Sequence, residues 1–243
     1  MPGLGTLINC AGVIGGGFLG LLFGKGLKKR FQDIMICVCG LSVIFIGVSG
    51  ALQKMLVIDT SSGSISVKGT LMMIFSLLLG AVAGELIDID KRAETFGAWL
   101  KKKSKSEKDA LFVDGFVSAS LTICIGAMSV LGPINDVLYK DYTILITKTI
   151  LDAIIVMALA SSMGKGPIFS VLPLILVQGF FTAVAKLIEP ILNEAALTNL
   201  SLVGSILIFL IGINLVFGKK IKVANFLPSL IFAVICGYLP FKI

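Results

Sequence analysis

The chain has no histidine, and only 14% of its 243 residues are charged. The lack of imidazole excludes histidine metal sites, Ser-His and Cys-His catalysis and histidine proton relays. Soluble domains usually carry about 25% charged residues, so the low charge argues against a soluble fold. Apolar sequence is abundant instead, with 56% hydrophobic residues and a mean hydropathy of +1.03. These features predict an all-α, polytopic membrane protein with a single transmembrane domain over residues 1–243.

The five cysteines all lie in apolar runs. An odd number of thiols in such surroundings argues against a disulfide framework. Cys37 and Cys39 are closely spaced, but on a helix their thiols would point about 200° apart and would chelate a metal poorly. The sequence also lacks a clustered metal-ligand motif and a Gly-x-Ser-x-Gly nucleophile elbow. We therefore expect no metal, no cofactor and no catalytic residue, and we do not expect an enzyme.

The net charge of +7 could indicate a nucleic-acid-binding protein, but its distribution argues against one. Fifteen of the 21 Lys and Arg residues fall in alternate loops between the apolar runs. This asymmetry is how membrane topology is encoded, and it predicts that those loops face the cytoplasm. With an even number of spans, both termini then face outward. The expected partner is the lipid bilayer, and no nucleic acid is expected.

The apolar runs predict about eight transmembrane helices. The residues between the third and fourth, 88–110, form the longest hydrophilic segment. It is predicted to be a cytoplasmic amphipathic linker, either a helix resting on anionic headgroups or a solvated connector. The eight predicted spans are Leu4–Phe23, Asp33–Ala51, Gly69–Ile87, Leu111–Leu131, Tyr142–Met163, Ile168–Leu187, Leu200–Phe217 and Asn225–Leu239.

The first three and last three spans resemble each other. Span two contains GLSVIFIGVSG and span seven GSILIFLIGIN, while LMMIFSLLLGAVAGEL of span three resembles LPSLIFAVICGYL of span eight. An offset of five spans is odd, so the two units would be inverted in the membrane. The sequence thus predicts repeats at 1–87 and 168–243, separated by a two-helix hairpin at 111–163 whose turn contains Gly132 and Pro133. Inverted repeats are common in secondary transporters.

Two charges in the second helix of that hairpin are the leading site candidates. Lys148 and Asp152 are four residues apart and share one helix face. Asp152 lies about ten residues into its apolar run, near the middle of a bilayer at about 1.5 Å of rise per residue. A carboxylate at that depth is costly and usually functional. It could pair structurally with Lys148, bind a cation or a proton, or face a wet loop if the span is shifted.

Other polar residues are weaker candidates for the binding of an ion or a solute. Asp114 and Glu85 fall near cytoplasmic span ends, where they could be solvated or could line a vestibule that attracts cations. Asn9, Gln178 and Asn214 are uncharged and could be either interhelical hydrogen-bonding groups or ligands.

Possible helix breaks suggest where a solute could bind. Spans one and six hold equivalent places in the two repeats, and both contain residues that weaken a helix. We expect a polar cavity between them, closed on one side by Asp152, unless the glycines only permit close helix crossing. The predicted breaks are Gly15, Gly16 and Gly17 in span one and Pro173 and Gly179 in span six.

A stripe of glycines in span one allows another helix to approach closely. It consists of Gly12, Gly16, Gly20 and Gly24. That helix could belong to a second copy, giving a homo-oligomer, or to the same chain.

Several ordered segments of the chain resemble one family. They are GTLIN from Gly5, GLSVIFIGVSGAL from Gly40, LGAVAGELIDID from Leu79, FVSASLTICIGAMSVLGPINDVL from Phe116, TKTILDAI from Thr147 and GINLVFGKKIKVANFLP from Gly212. The chain resembles the YdfK/YqgA-like family of uncharacterised bacterial inner-membrane proteins over nearly its whole length. The resemblance implies a multi-pass protein of the bacterial cytoplasmic membrane. It implies no substrate and no reaction.

Two functional hypotheses follow. The first is a secondary transporter or channel for a small ion or polar solute, based on the inverted repeat and the charges within the membrane. The alternative is a scaffold or regulator that binds a partner through the basic segment 88–110 and transports nothing.

Overall fold

The computed structural model describes residues 3–24, 28–58, 64–126, 128–188 and 193–238. Its elements are almost all helical, which confirms the all-α membrane fold. The helices are α1 Leu4–Gly24, α2 Lys29–Met55, α3 Thr70–Ile87, α4 Ile89–Lys103, α5 Phe112–Cys124, α6 Met128–Tyr139, α7 Thr143–Met163, α8 Val171–Ile188, α9 Glu194–Phe217 and α10 Pro228–Cys236. Short 3₁₀ helices at Gly166–Ser170 and Val223–Phe226 precede α8 and α10.

A small antiparallel hairpin follows α2, in the segment between the second and third predicted spans. Strands β1 (Leu56–Ile58) and β2 (Ile65–Val67) pair with Val57 opposite Ser66. Both strands consist mostly of β-branched residues, which favour extended backbone.

Six described helical segments are long and apolar enough to cross a bilayer, and the number rises to seven if α5 and α6 form one bent span. The last segment, Val223–Cys236, is apolar but shorter than a bilayer-spanning helix. The count of eight spans therefore stays a prediction.

The predicted fourth span is wrong in detail. It is not one helix from Leu111 to Leu131, because α5 ends at Cys124 and α6 starts at Met128 at an angle of 54°. Ile125 is extended and Gly126 has φ of +124°, a conformation that side-chain-bearing residues rarely adopt. The chain therefore breaks at Gly126. Gly132 and Pro133, predicted to form a turn, lie inside α6.

The helix breaks predicted at Gly15, Gly16 and Gly17 are also wrong, because α1 is continuous. The stripe packs on α7, because a Cβ added to any of its glycines would meet one residue of that helix. Gly12, Gly16, Gly20 and Gly24 face Thr149, Ala153, Met157 and Ser161 in turn. The constant offset of 137 residues shows that α1 and α7 run parallel. This face of α1 is covered by α7 of the same chain, so it offers no free surface to a second copy. A homo-oligomer through the stripe stays a prediction.

Helix α8 is continuous as well, so Pro173 and Gly179 do not break it. Pro173 is the third residue of α8, in the first turn, where a helix tolerates proline. Of the residues that the structure describes, none has an atom within 4 Å of the position that a Cβ on Gly179 would take.

The helices of the two predicted repeats pack against each other as antiparallel pairs. A Cβ on Gly40 of α2 would lie 3.1 Å from the carbonyl oxygen of Gly212 on α9, and a Cβ on Gly212 would lie 2.9 Å from that of Gly40. One further contact, Gly47 with Ser205, continues the same register. Helices α3 and α10 also cross at small residues, with Gly80 against Ser229. Small residues thus let both pairs approach closely, while the repeat itself stays a prediction.

The predicted cytoplasmic loops gather at one end of the bundle, called here the basic end. Asp109 accepts a hydrogen bond from the Lys165 backbone N–H at 2.8 Å, and Lys219 bonds Asp90 at 2.6 Å. Gly24, at the end of α1, lies against Ser161 near the end of α7. The alternation of the loops is therefore reproduced, whereas the side of the membrane that this end faces stays a prediction.

The linker predicted at 88–110 contains helix α4, which packs on α5. Leu100 is buried, and the ring of Phe96 lies 5.9 Å from that of Phe116. Trp99 is half exposed and carries the Lys103 ammonium 5.0 Å from its ring. This arrangement leaves an aromatic and basic face outward, as an interfacial helix requires.

Candidate functional site

Lys148 and Asp152 of α7 form the predicted ion pair inside the bundle. The Lys148 Nζ lies 2.8 Å from Asp152 Oδ2 and 3.0 Å from Oδ1. The two residues are only 5% and 3% exposed. Because they sit one helical turn apart on an unbroken helix, the geometry follows directly from the sequence.

Asp152 has a second partner on another helix. The Asn9 side-chain amide of α1 donates to Asp152 Oδ2 at 3.0 Å, and Asn9 is fully buried. The glycine stripe brings α1 close enough to α7 for this short side chain to reach across. Asp152 is thus held from two helices.

The Lys148 ammonium also binds the end of the broken helix. It donates to the carbonyl oxygen of Ile123 at 2.6 Å, and the Ser129 hydroxyl donates to the same oxygen at 3.1 Å. The last carbonyls of a helix have no intrahelical donor and carry the negative end of its dipole. The break at Gly126 therefore supplies the second negative group that holds Lys148.

Asp136 of α6 is a site residue that the sequence analysis missed. It is 1% exposed, and its Oδ2 accepts a hydrogen bond from the Gly5 N–H at the start of α1, at 3.0 Å. Its Oδ1 has no hydrogen-bond partner among the described residues. The signal in the sequence is a lone carboxylate in the apolar segment GPINDVL, beside the predicted turn at Gly132 and Pro133.

Gln178 lies on the inner face of α8 at 0% exposure. Neither atom of its amide group has a partner in the described part of the chain. Gly3 lies next to Thr182 and Gly17 next to Ile168, so α1 and α8 run antiparallel in a constant register. That register places Gln178 level with residue 7 of α1.

Two α1 side chains at this level also have unpaired oxygens. Thr6 Oγ1 and Asn9 Oδ1 are buried without partners among the residues described. Helices α1, α6, α7 and α8 thus enclose a group of polar side chains, called here the inner cluster. Its members are Thr6, Asn9, Asp136, Lys148, Asp152 and Gln178.

Glu85, Asp114 and Asn214 lie outside the inner cluster, at the basic end. The Asn214 amide closes the following loop, donating to the Ile221 carbonyl at 2.7 Å and accepting from the Lys220 and Ile221 N–H groups. Glu85 is bound by Lys222 and Asn225. Asp114 is exposed and lines a cavity of about 230 Å³ together with Asn214. The predicted vestibule that attracts cations, and the predicted role of Asn214 as a ligand, therefore stay predictions.

Lys219 anchors α4 to the loop before α10. Burial lowers its pKa, but hydrogen bonds to Asp90 and Glu94 outweigh burial and leave the pKa of Lys219 raised. Among its partners, Asp90 is buried and Glu94 is half-buried. This group, with the Glu85–Lys222 pair, is called here the basic-end cluster.

The groove beside Pro173 differs from the predicted polar cavity between spans one and six. Pro173 lines an apolar groove of about 660 Å³ between α5, α8 and α10. Ile125 and Gly126 of the helix break also line it. The polar side chains of the inner cluster instead lie within the packed bundle.

A family model described as "Protein of unknown function (DUF554)" matches residues 4–238. The chain is 33% identical over 227 residues to "Uncharacterized membrane protein YdfK" of Bacillus subtilis (strain 168), covering 93% of this chain and 92% of that protein. It is 27% identical over 235 residues to "Uncharacterized protein YqgA" of Escherichia coli (strain K12), covering 95% and 94%. No solved structure matches the chain significantly.

Proposed function

The chain belongs to the DUF554 family of membrane proteins of unknown function, and we propose that it is a secondary transporter or channel for a small ion or polar solute. One observation carries the proposal. A buried ammonium that is paired with a buried carboxylate donates to the end of a helix that breaks inside an apolar segment.

Charged groups within a membrane are costly and mark ion or substrate pathways more often than they stabilise a fold. Non-helical backbone at membrane depth is tolerated where it lies against protein or lines a cavity. In secondary transporters, the ends of discontinuous helices supply ligands near the midplane. The contact of Lys148 with the Ile123 carbonyl has this character.

The packing of the predicted repeats gives further support. The start of each aligned segment lies against the later part of the other, with Gly40 of α2 against Gly212 of α9 and Gly47 against Ser205. Such self-complementary packing is what a two-fold relation between inverted repeats would produce. The bacterial cytoplasmic membrane, with both termini outside, is the location that we propose.

A flux screen tests the proposal. Purified protein in liposomes is assayed with ions, amino acids and small organic acids, and Asp152→Asn is compared with Asp141→Asn. Asp141 is an exposed carboxylate before α7 that accepts from the Thr143 N–H, so it controls for the same substitution. We expect flux of one solute class in wild type and Asp141→Asn, and its loss in folded Asp152→Asn. Absence of flux for every class, or full flux in Asp152→Asn, would contradict the proposal.

The alternative function, a scaffold that binds a partner through the basic segment, has one observation in its favour. The outer face of α4 presents Trp99 stacked on Phe96 at 5.7 Å, beside Lys103. Replacing Lys101, Lys102 and Lys103 with glutamine should leave flux unchanged in a transporter. The scaffold function is favoured if no solute shows flux in liposomes and if the phenotype of cells that lack the protein is restored by wild type but not by the variant without these lysines.

A further inference from the structure

Four buried oxygen atoms in the inner cluster lack partners in the described structure, as does the amide nitrogen of Gln178. The oxygens are Thr6 Oγ1, Asn9 Oδ1, Asp136 Oδ1 and Gln178 Oε1. Their residues are 7%, 0%, 1% and 0% exposed. A buried polar atom without a partner costs about 1–3 kcal/mol, so native proteins satisfy such atoms with water or ions. Four in one region call for a common explanation.

The four residues lie on three helices that contact one another in pairs. Asp136 of α6 is tied to the start of α1 through its hydrogen bond with Gly5, next to Thr6. Asn9 follows Thr6 by one helical turn and shares its face. The α1–α8 register brings Gln178 to the same level.

The charges of the inner cluster leave one negative charge uncompensated. Lys148 bonds Asp152, and no salt bridge to Asp136 occurs among the described residues. The Gly5 N–H engages one oxygen of Asp136 and leaves the other free. A single carboxylate with neutral oxygens is suited to a hard cation of low charge. No group of three or more Cys, Asp or Glu side chains that could hold a metal occurs in the described chain, which disfavours a divalent or transition metal.

We propose that Thr6, Asn9, Asp136 and Gln178 form a binding site for a small monovalent cation of the size of Na⁺, between α1, α6 and α8. The inference rests on the proposed transport function and names the ion that would be moved or would drive a second solute. Asn9 links the two parts of the inner cluster, because its amide nitrogen bonds Asp152 while its oxygen faces the cation. Cation binding would thereby be coupled to the ion pair at the helix break.

The test uses purified full-length protein in detergent. Thermal unfolding and calorimetric titration are recorded with NaCl, and with N-methyl-D-glucamine chloride at equal ionic strength. Na⁺ is expected to raise the midpoint of unfolding, because it binds the folded state. The shift should disappear in Asp136→Asn and Gln178→Leu, and it should persist in the control Asp141→Asn.

Asp136→Asn could fail to fold, so Thr6→Val serves as a second variant. Valine has nearly the shape of threonine, and the substitution removes Thr6 Oγ1, which has no partner among the described residues. The variant should therefore fold at least as well as wild type in the absence of Na⁺. Its affinity for Na⁺ should fall by roughly tenfold, about the contribution of one hydrogen bond.

Three results would overturn the site. The first is that wild type does not bind Na⁺. The second is that Na⁺ raises the midpoint of unfolding equally in all the variants. The third is that acid raises the midpoint and Na⁺ does not change it. Failure of this site is distinguishable from failure of the proposed function. Flux in a protein that does not bind Na⁺ would support the proposed transport function and reject the cation site. Na⁺ binding with no flux of any solute would support the site and reject the transport function.

Discussion

The inner cluster and the basic-end cluster use the same ion-pair chemistry in different surroundings. At the basic end, Lys219 binds Asp90 and Glu94, and Lys222 binds Glu85, with Lys222 and Glu85 more than half exposed. In the inner cluster, the side chains of Lys148 and Asp152 are 6% and 5% exposed, and neighbouring polar atoms lack partners within the described segments. Exposed pairs contribute little because water competes, whereas buried pairs must repay the loss of hydration. The basic-end cluster thus joins helices α3 and α4 to the loop after α9. The inner cluster is a candidate functional site.

The largest expected effect is that of breaking the inner pair. Lys148→Met leaves the Asp152 carboxylate buried without its cation, and it should lower the free energy of unfolding by roughly 3–5 kcal/mol. Lys148→Met combined with Asp152→Leu should restore most of that loss. Denaturant unfolding in detergent measures both, and a double variant as unstable as the single one would contradict a coupled pair.

A smaller effect is expected for Lys219→Met at the basic end. Its side chain is 34% exposed, so the loss should be roughly 1 kcal/mol or less despite the buried Asp90. Because the pKa of Lys219 is raised in the folded protein, its contribution is present at neutral pH. It should shrink as the pH rises through the range in which lysine loses its proton. If Lys219→Met lowered the free energy of unfolding as much as Lys148→Met does, the proposed difference between the two clusters would be wrong.

The smallest effect is expected for Lys222→Met. Hydrogen bonds with Glu85 raise the pKa of Lys222, but the pair lies in water and is screened by salt. The thermal midpoint of the variant should match that of wild type at physiological ionic strength. A salt titration supplies the control, since any difference should appear only at low salt.

The parts of the fold that follow from local pattern were predictable from the sequence. Helices α1, α3 and α7 lie within a few residues of their predicted bounds. The Lys148–Asp152 pair was predictable because residues four apart on a helix are neighbours.

The position of the helix break was not predictable, because hydropathy does not show which glycine or proline of an apolar segment interrupts the helix. Gly126 and Pro133 both lie in the same apolar segment, and the break occurs at the glycine with positive φ. Gly16 was expected to weaken α1, but close packing on the backbone of α7 keeps that helix continuous. Partners such as the Ile123 carbonyl and Asn9 depend on tertiary contacts between distant segments, so no local pattern identifies them.

The most direct test of the central claim is whether water reaches the helix break. Ser129, which donates to the Ile123 carbonyl, is replaced by cysteine in a chain whose five native cysteines are substituted. An impermeant thiol reagent is applied from each side of the membrane, with exposed Lys140→Cys and buried Val156→Cys as controls. A transport pathway predicts that Ser129→Cys is labelled from at least one side. Protection from both sides, equal to that of Val156→Cys, would contradict it.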